Sequence, residues 1–287
     1  MANSLNASLI NTVLAQRAVT VVQSKLPWLG AFTNDFSDEV KDQRSRSILV
    51  PYALSASAVQ TNPTNFETGD TTTNLRTITM NHLSKSFYIT SADYGKGTRI
   101  EQLADVNMGI VANAIEAAVF TIITASNYTA TIPASLSAVA TAGTTAALLK
   151  TLWGTLGGNV KNCILSDSYF APVLPGDLYS FDITKTKSGF GFDYLDHSGK
   201  GFDSAGSKIV GFAANPNAIV MGAAIPEYTP QVADLLDSTV VEVPGLGIYI
   251  QSNMWASAAS RNQWASFDIL FGAAVGCPSS LTLMTSV

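Results

Sequence analysis

The chain has 287 residues, enough for one large domain or two modest ones with a real core. Hydrophobic residues make up 47% but charged residues only 13%, about half the usual share near ~25% in soluble proteins, so other protein chains or a membrane are expected to cover much of the surface. The net charge of -5 comes without any Lys/Arg cluster of the kind that grips phosphates, which disfavours direct nucleic-acid recognition.

The first residues, MANSLNASLINTVLAQ, lack a basic segment and an unbroken apolar core, so no secretory signal is expected. The spacing predicts an amphipathic helix over Asn3 to Lys25, with Leu5, Leu9 and Val13 at four-residue intervals, Ile10, Leu14 and Val21 beside them, and Asn3 or Ser4 as N-cap. Pro27 ends it. Such a helix either packs in its own subunit or lies as an arm on a neighbour.

From Asp38 to Tyr94 the pattern becomes that of strands. A strand core at Ile48 to Tyr52 is followed by the polar TNPTNFETGDTTTN and then by the alternating LRTITMNHLSKSFYIT, together a long two-stranded hairpin with a polar tip. A two-stranded ribbon is marginal in water and must lean on something else. Thr98-Arg99-Ile100-Glu101 reads as a capping box that opens a long helix. Ile100, Leu103, Asn107, Ile110, Val111, Ala114, Ile115, Ala118 and Ile122 are expected on its buried face, with Glu101 and Asp105 near its positive end.

Ala117 to Leu149 carries no charge, but it is rich in Ser, Thr and Asn and holds Pro133 and Gly143, whereas a membrane span needs ~20 mostly apolar residues. Protein partners therefore explain the charge deficit better than a membrane. TTAALLKTLWGTL predicts a helix stopped at Gly157-Gly158, NCILSD a short buried strand, and SDSYFAPVLPG a helical turn. Thr184 to Lys208 reads as a surface loop. VGFAANPNAIVMGAAIP, Val210 to Pro226, has no ionisable side chain and predicts a strand, a turn at Asn215-Pro216-Asn217 and a second apolar segment. VVEVPGLGIYIQSNMW and NQWASFDILFGAAVG read as strands, with turns at Pro244-Gly245 and Ala256 to Asn262.

Chemistry is sparse. There is no G-x-S-x-G, H-E-x-x-H, C-x-x-C or P-loop. Cys163 and Cys277 sit in apolar surroundings and read as buried reduced thiols. His82 lies in the alternating strand and reads as structural. His197 lies near Asp193, Asp196 and Asp203, but the spacing matches no EF-hand loop and the cluster reads as a solvated loop. No catalytic, cofactor-binding or metal site is assigned.

The order of elements carries more: an N-terminal arm, a polar-tipped hairpin, a capped long helix, a small α/β layer with KNCILSDSYFAPVL and GFAANPNAIVMGAAIP, then returning strands. This resembles the major capsid protein of tailed bacteriophages, the Hong Kong ninety-seven phage-type fold shared with herpesvirus capsid floors and bacterial encapsulin shells. The resemblance implies an α+β fold with an N-terminal arm (1–37), an extended loop hairpin (38–94), a peripheral domain with its spine helix (95–130 and 231–272) and an axial domain (131–230 and 273–287). It implies a non-enzymatic shell protein without cofactor, forming hexamers and pentamers of an icosahedral virion capsid around double-stranded DNA, assembled in the host cytoplasm. Its partners would be further copies of the chain together with scaffolding, portal and decoration proteins. Some members cross-link a Lys of the extended loop to a neighbour; Lys41 and Lys85 lie in or near the loop, but no motif fixes either. An encapsulin-like shell around cargo enzymes is the alternative, and a metal-dependent hydrolase using Asp193, Asp196 and His197 a remote one.

Overall fold

The computed structural model describes residues 7–33, 47–56, 61–62, 64, 71–90, 93, 97–134, 142–156, 161–171, 191–198, 208–226, 235–257 and 262–286. The chain forms two compact units: Met1–Arg46 with Thr79–Thr121 and Met221–Ala273, and Ser47–Ile78 with Ile122–Val220 and Ala274–Val287.

The first unit is built on a sheet of β3 (Asn81–Ile89), β11 (Asn262–Val275), β10 (Ile248–Ser257) and β9 (Leu235–Val243), in that order and antiparallel throughout, with β8 (Ile219–Ala224) also pairing with β11. Helix α1 (Ala7–Lys25) lies across β9 and β10. The face it buries is Ile10, Leu14, Ala15, Ala18, Val21 and Val22, together with Asn11. Leu9, expected on that face, is 56% exposed, and Leu5 and the N-cap lie outside the described residues. A 3-10 turn, Pro27–Ala31, follows the helix and seats Trp28 against Phe120 at 5.2 Å between ring centroids.

Helix α2 (Gly97–Ile122) is the long helix that was expected. Its buried residues are Ile100, Ala104, Asn107, Met108, Val111, Ala112, Ile115, Val119 and Phe120, whereas Ile110 is 49% and Val106 66% exposed. The apolar residues nearly encircle this helix, so periodicity alone misassigns part of the face. Helix α1 meets one flank of this helix: Arg17 makes a two-pronged ion pair with Asp105, at 2.6 and 2.9 Å, and a Cβ on Gly109 would lie 3.0 Å from Lys25 Nζ. The Thr98 side chain of the expected capping box lies outside the described residues, and Glu101 is exposed.

The second unit holds a sheet in the order β4 (Thr131–Ala134), β12 (Leu281–Ser286), β7 (Ile209–Ala214), β5 (Asn162–Ser166), β6 (Tyr194–Ser198). Its β12–β4 and β5–β6 pairs are parallel; β12–β7 and β5–β7 are antiparallel. Strands buried on both faces read as apolar runs, and β7 and the centre of β5 are such runs, whereas β12 is buried along Leu281 to Met284 although it carries Thr282. Helix α3 (Ala142–Thr155) and the short helix α4 (Asp167–Phe170) add Leu149, Leu152, Tyr169 and Phe170 to a core with Cys163, Leu165, Phe192 and Leu195. β6 corrects the expected loop over Thr184 to Lys208: a polar YLDHS becomes the outer strand because its backbone pairs with β5, a partner that local sequence does not name.

The hairpin also differs from expectation. β1 (Ser47–Ala56) pairs with β2 (Thr71–Thr79), but the alternating stretch continues past the fully buried Ile78 and Met80 into β3, which pairs with β11. The apolar stretch from Val210 folds as read: β7, a 3-10 turn at Pro216–Ala218 and β8, and the chain passes between the units at Val220 and Met221. Gly276 and Cys277 strap this turn by donating their backbone N–H to Ala218 and Asn217 at 2.9 and 3.0 Å. Tyr128, pushed up in pKa by burial, donates its hydroxyl to the Ala218 carbonyl at 2.8 Å.

Candidate functional site

The residues weighed for metal binding are engaged separately. The Lys161 N–H donates to Asp193 Oδ2 at 2.8 Å while the Asp193 N–H donates to the Lys161 carbonyl, so Asp193 clamps the entry to β5. Asp196 is buried and accepts from the Tyr194 hydroxyl at 2.7 Å and the His197 backbone at 2.9 Å. His197 points the other way, as alternation along a strand requires, pairing with Asp167 at 2.6 Å and stacking on Phe170. Asp203 lies outside the described residues. Among the described residues no three His, Cys, Asp or Glu side chains converge on a point where an ion would sit. The two thiols are buried and free, and burial pushes Cys163 up in pKa.

The densest polar arrangement lies on one face of the first unit's sheet. Asp268 accepts from His82 Nε2 at 3.0 Å, Asn253 Nδ2 at 3.0 Å and the Ser266 hydroxyl at 2.5 Å. Burial pushes this carboxyl up, but hydrogen bonds from His82, Ser266, Ser84 and Asn253 outweigh it and hold the group below the usual carboxylate range. Asn253 in turn accepts from Ser238, which accepts from Gln251 at 3.2 Å. The carboxylate, imidazole and hydroxyls of this network are engaged with one another. His82, read from the sequence as structural, is held by Asp268.

Beside this network the register brings Leu235, Trp255, Trp264 and Tyr88 into one row across the four strands. Trp255 and Trp264 stack at 6.3 Å, and Tyr88 meets Trp264 edge-on at 5.8 Å. Tyr88 is 54% exposed, and Leu236 and Val240 near the same face are also exposed. Sequence reading found none of this row, because its members lie on four separate strands and meet only through strand pairing. On α2, Gln102, Val106, Ile110, Ala117 and Thr121 form an exposed stripe without a charge. Among the described residues the exposed large apolar side chains thus lie on the first unit, Trp153 apart. By length and composition Arg99–Ile122 would also suffice to cross a membrane, but over half of it is buried in the protein.

No protein-family model and no curated protein matches the chain by sequence. Solved structures do match. The subunit of a virus-like particle from Pyrococcus furiosus superposes with a TM-score of 0.59 at 10% identity, covering 95% of this chain and 98% of that one. The capsid of an empty GTA particle gives 0.53 at 11% identity over 92% and 90%, and the capsid of the cyanophage P-SCSP1u 0.50 at 11% over 90% and 86%. At such identities the likeness speaks for the fold and spans nearly the full length on both sides, so this chain has the α+β fold of phage-capsid and virus-like-particle subunits, the Hong Kong ninety-seven type its sequence resembles.

Proposed function

We propose that the chain is a major capsid protein that assembles with copies of itself, as hexamers and pentamers, into an icosahedral shell enclosing the double-stranded DNA of a tailed phage. The observation that carries this reading is the end-to-end match to shell subunits. The low charge content and the exposed Tyr88, Val106, Ile110, Leu236 and Val240 support it, since a shell subunit needs apolar surface on which neighbours pack. The role is structural, the location the virion capsid, and assembly takes place in the host cytoplasm with scaffolding, portal and decoration proteins. In this reading residues 1–37 act as the arm, 38–94 as the extended loop over a neighbour, 95–130 and 231–272 as the peripheral domain, and 131–230 with 273–287 as the axial domain.

The purified chain is expected to sediment as capsomers or shells and to show them by negative-stain microscopy. A stable monomer at high concentration would overturn the reading. Shortening the Thr61 to Asn74 tip is expected to impair assembly more than folding. A second reading, an encapsulin-like shell around cargo enzymes, is favoured by the match to a virus-like particle. The content of purified shells, DNA or enzyme, separates the two.

A further inference from the structure

Strand β9 is an outer strand: among the described residues it pairs with β10 alone. Its other edge is a row of backbone N–H and C=O groups without a ladder partner, which one more strand would satisfy. Soluble proteins usually blunt such an edge with Lys, Pro or brevity. LLDSTVVEV runs nine residues and has no Lys, Arg or Pro. Its one irregularity, a bulge opposite Met254 and Trp255, leaves Asp237 to Val243 regularly paired. Along that stretch Ser238, Val240 and Glu242 are exposed, Val240 by 42%.

We infer that this edge pairs antiparallel with the same edge of a second copy, about a twofold axis through Val240. The inference rests on the shell reading for the presence of neighbouring copies. The strand itself argues for its own copy as occupant. Only one antiparallel self-register pairs all of Asp237 to Val243, and in it Val240 meets Val240, Thr239 meets Val241, Ser238 meets Glu242 and Asp237 meets Val243. No acid faces an acid, each Glu242 gains a hydroxyl, and β-branched residues meet at the centre, a favoured cross-strand pair. A twofold contact uses one patch twice and closes, so an unblunted edge satisfied in this way does not propagate into fibres.

The test uses full-length Val240→Cys with oxidised glutathione, read on a non-reducing gel; the native Cys163 and Cys277 are buried and give little background. Paired residues across an antiparallel ladder have Cα atoms ~4.5–5.5 Å apart, within disulfide reach. Glu242→Cys is the control, since its own counterpart lies four residues further along, about 13 Å away. Cross-linked dimer from Val240→Cys but not Glu242→Cys is the expected result. Val240→Lys is expected to lose the contact while melting like the parent. If Val240→Cys does not fold, a mixture of Ser238→Cys and Glu242→Cys chains reads the same register. Shells without the Val240→Cys dimer, or equal cross-linking from Glu242→Cys, overturn the inference and leave the shell reading standing. Monomers alone, with no cross-link, overturn both; dimers without shells support the inference and count against the shell.

Discussion

Replacing Asn11 with alanine tests how α1 is fastened to its sheet. Asn11 is fully buried in the middle of an apolar helix face. Its amide nitrogen lies 2.8 Å from Asp237 Oδ2 and 2.9 Å from the Ser252 carbonyl, with Thr239 Oγ1 at 3.3 Å. Its carbonyl accepts from the Ser252 hydroxyl at 2.5 Å. Truncation removes one bond to a charged group, worth ~1.5–3 kcal/mol, and strands the buried hydroxyl and carbonyl of Ser252 at ~1 kcal/mol each, for a loss of about 3.5–5 kcal/mol. Alanine's better helix propensity returns only ~0.5 kcal/mol of this. At ~2–4 °C per kcal/mol for a domain of this size class, the transition of the first unit should fall by on the order of 10 °C. Thermal unfolding followed by circular dichroism reads this directly. Leu9→Ala is the comparison: on the same helix but 56% exposed, it should change stability by no more than ~0.5 kcal/mol. A parental melting curve for Asn11→Ala, or an equal loss for Leu9→Ala, would refute the assignment of the buried face.

Val220→Asp places an unpaired carboxylate at a site 4% exposed, at a cost of several kcal/mol that rivals the whole margin of stability, so soluble yield should collapse; wild-type melting would show the segment is exposed. Gly276→Ala drives a Cβ into the carbonyl oxygens of Asn217 and Ala218, neither of which is a movable side chain, and should lower the melting temperature, whereas Gly154→Ala, whose Cβ would meet nothing within 4 Å, should not. Asp268 is held below the usual carboxylate pKa, so its contribution to stability is full above ~3.9 and declines as pH falls through and below that value. Asp268→Asn should therefore be less stable at neutral pH and show a flatter loss on acidification. Equal acid limbs in urea titrations of the two proteins would exclude Asp268 from acid unfolding.

The sequence by itself determined the elements whose evidence is local. The strand, turn and strand around Asn215-Pro216-Asn217, the helix ended by Pro27, the long helix from Gly97 and the buried NCILS were all legible, because turn residues and apolar periodicity act over a few positions. Element order carried the resemblance to shell proteins. What only tertiary structure decided is which apolar residue is inside and which strand meets which. Val106 and Ile110 are exposed although their helix is apolar nearly all round, since packing against the rest of the fold, not periodicity, selects the covered face. YLDHS is a strand because β5 lies beside it, and the alternation through Met80 continues into β3 because β11 receives it. The Asp268 network and the Tyr88, Trp264 and Trp255 row gather residues far apart in sequence, and strand register alone brings them together. Periodicity fixes a residue's direction relative to its own strand or helix; its partner is fixed by the pairing of distant segments, which no local pattern encodes.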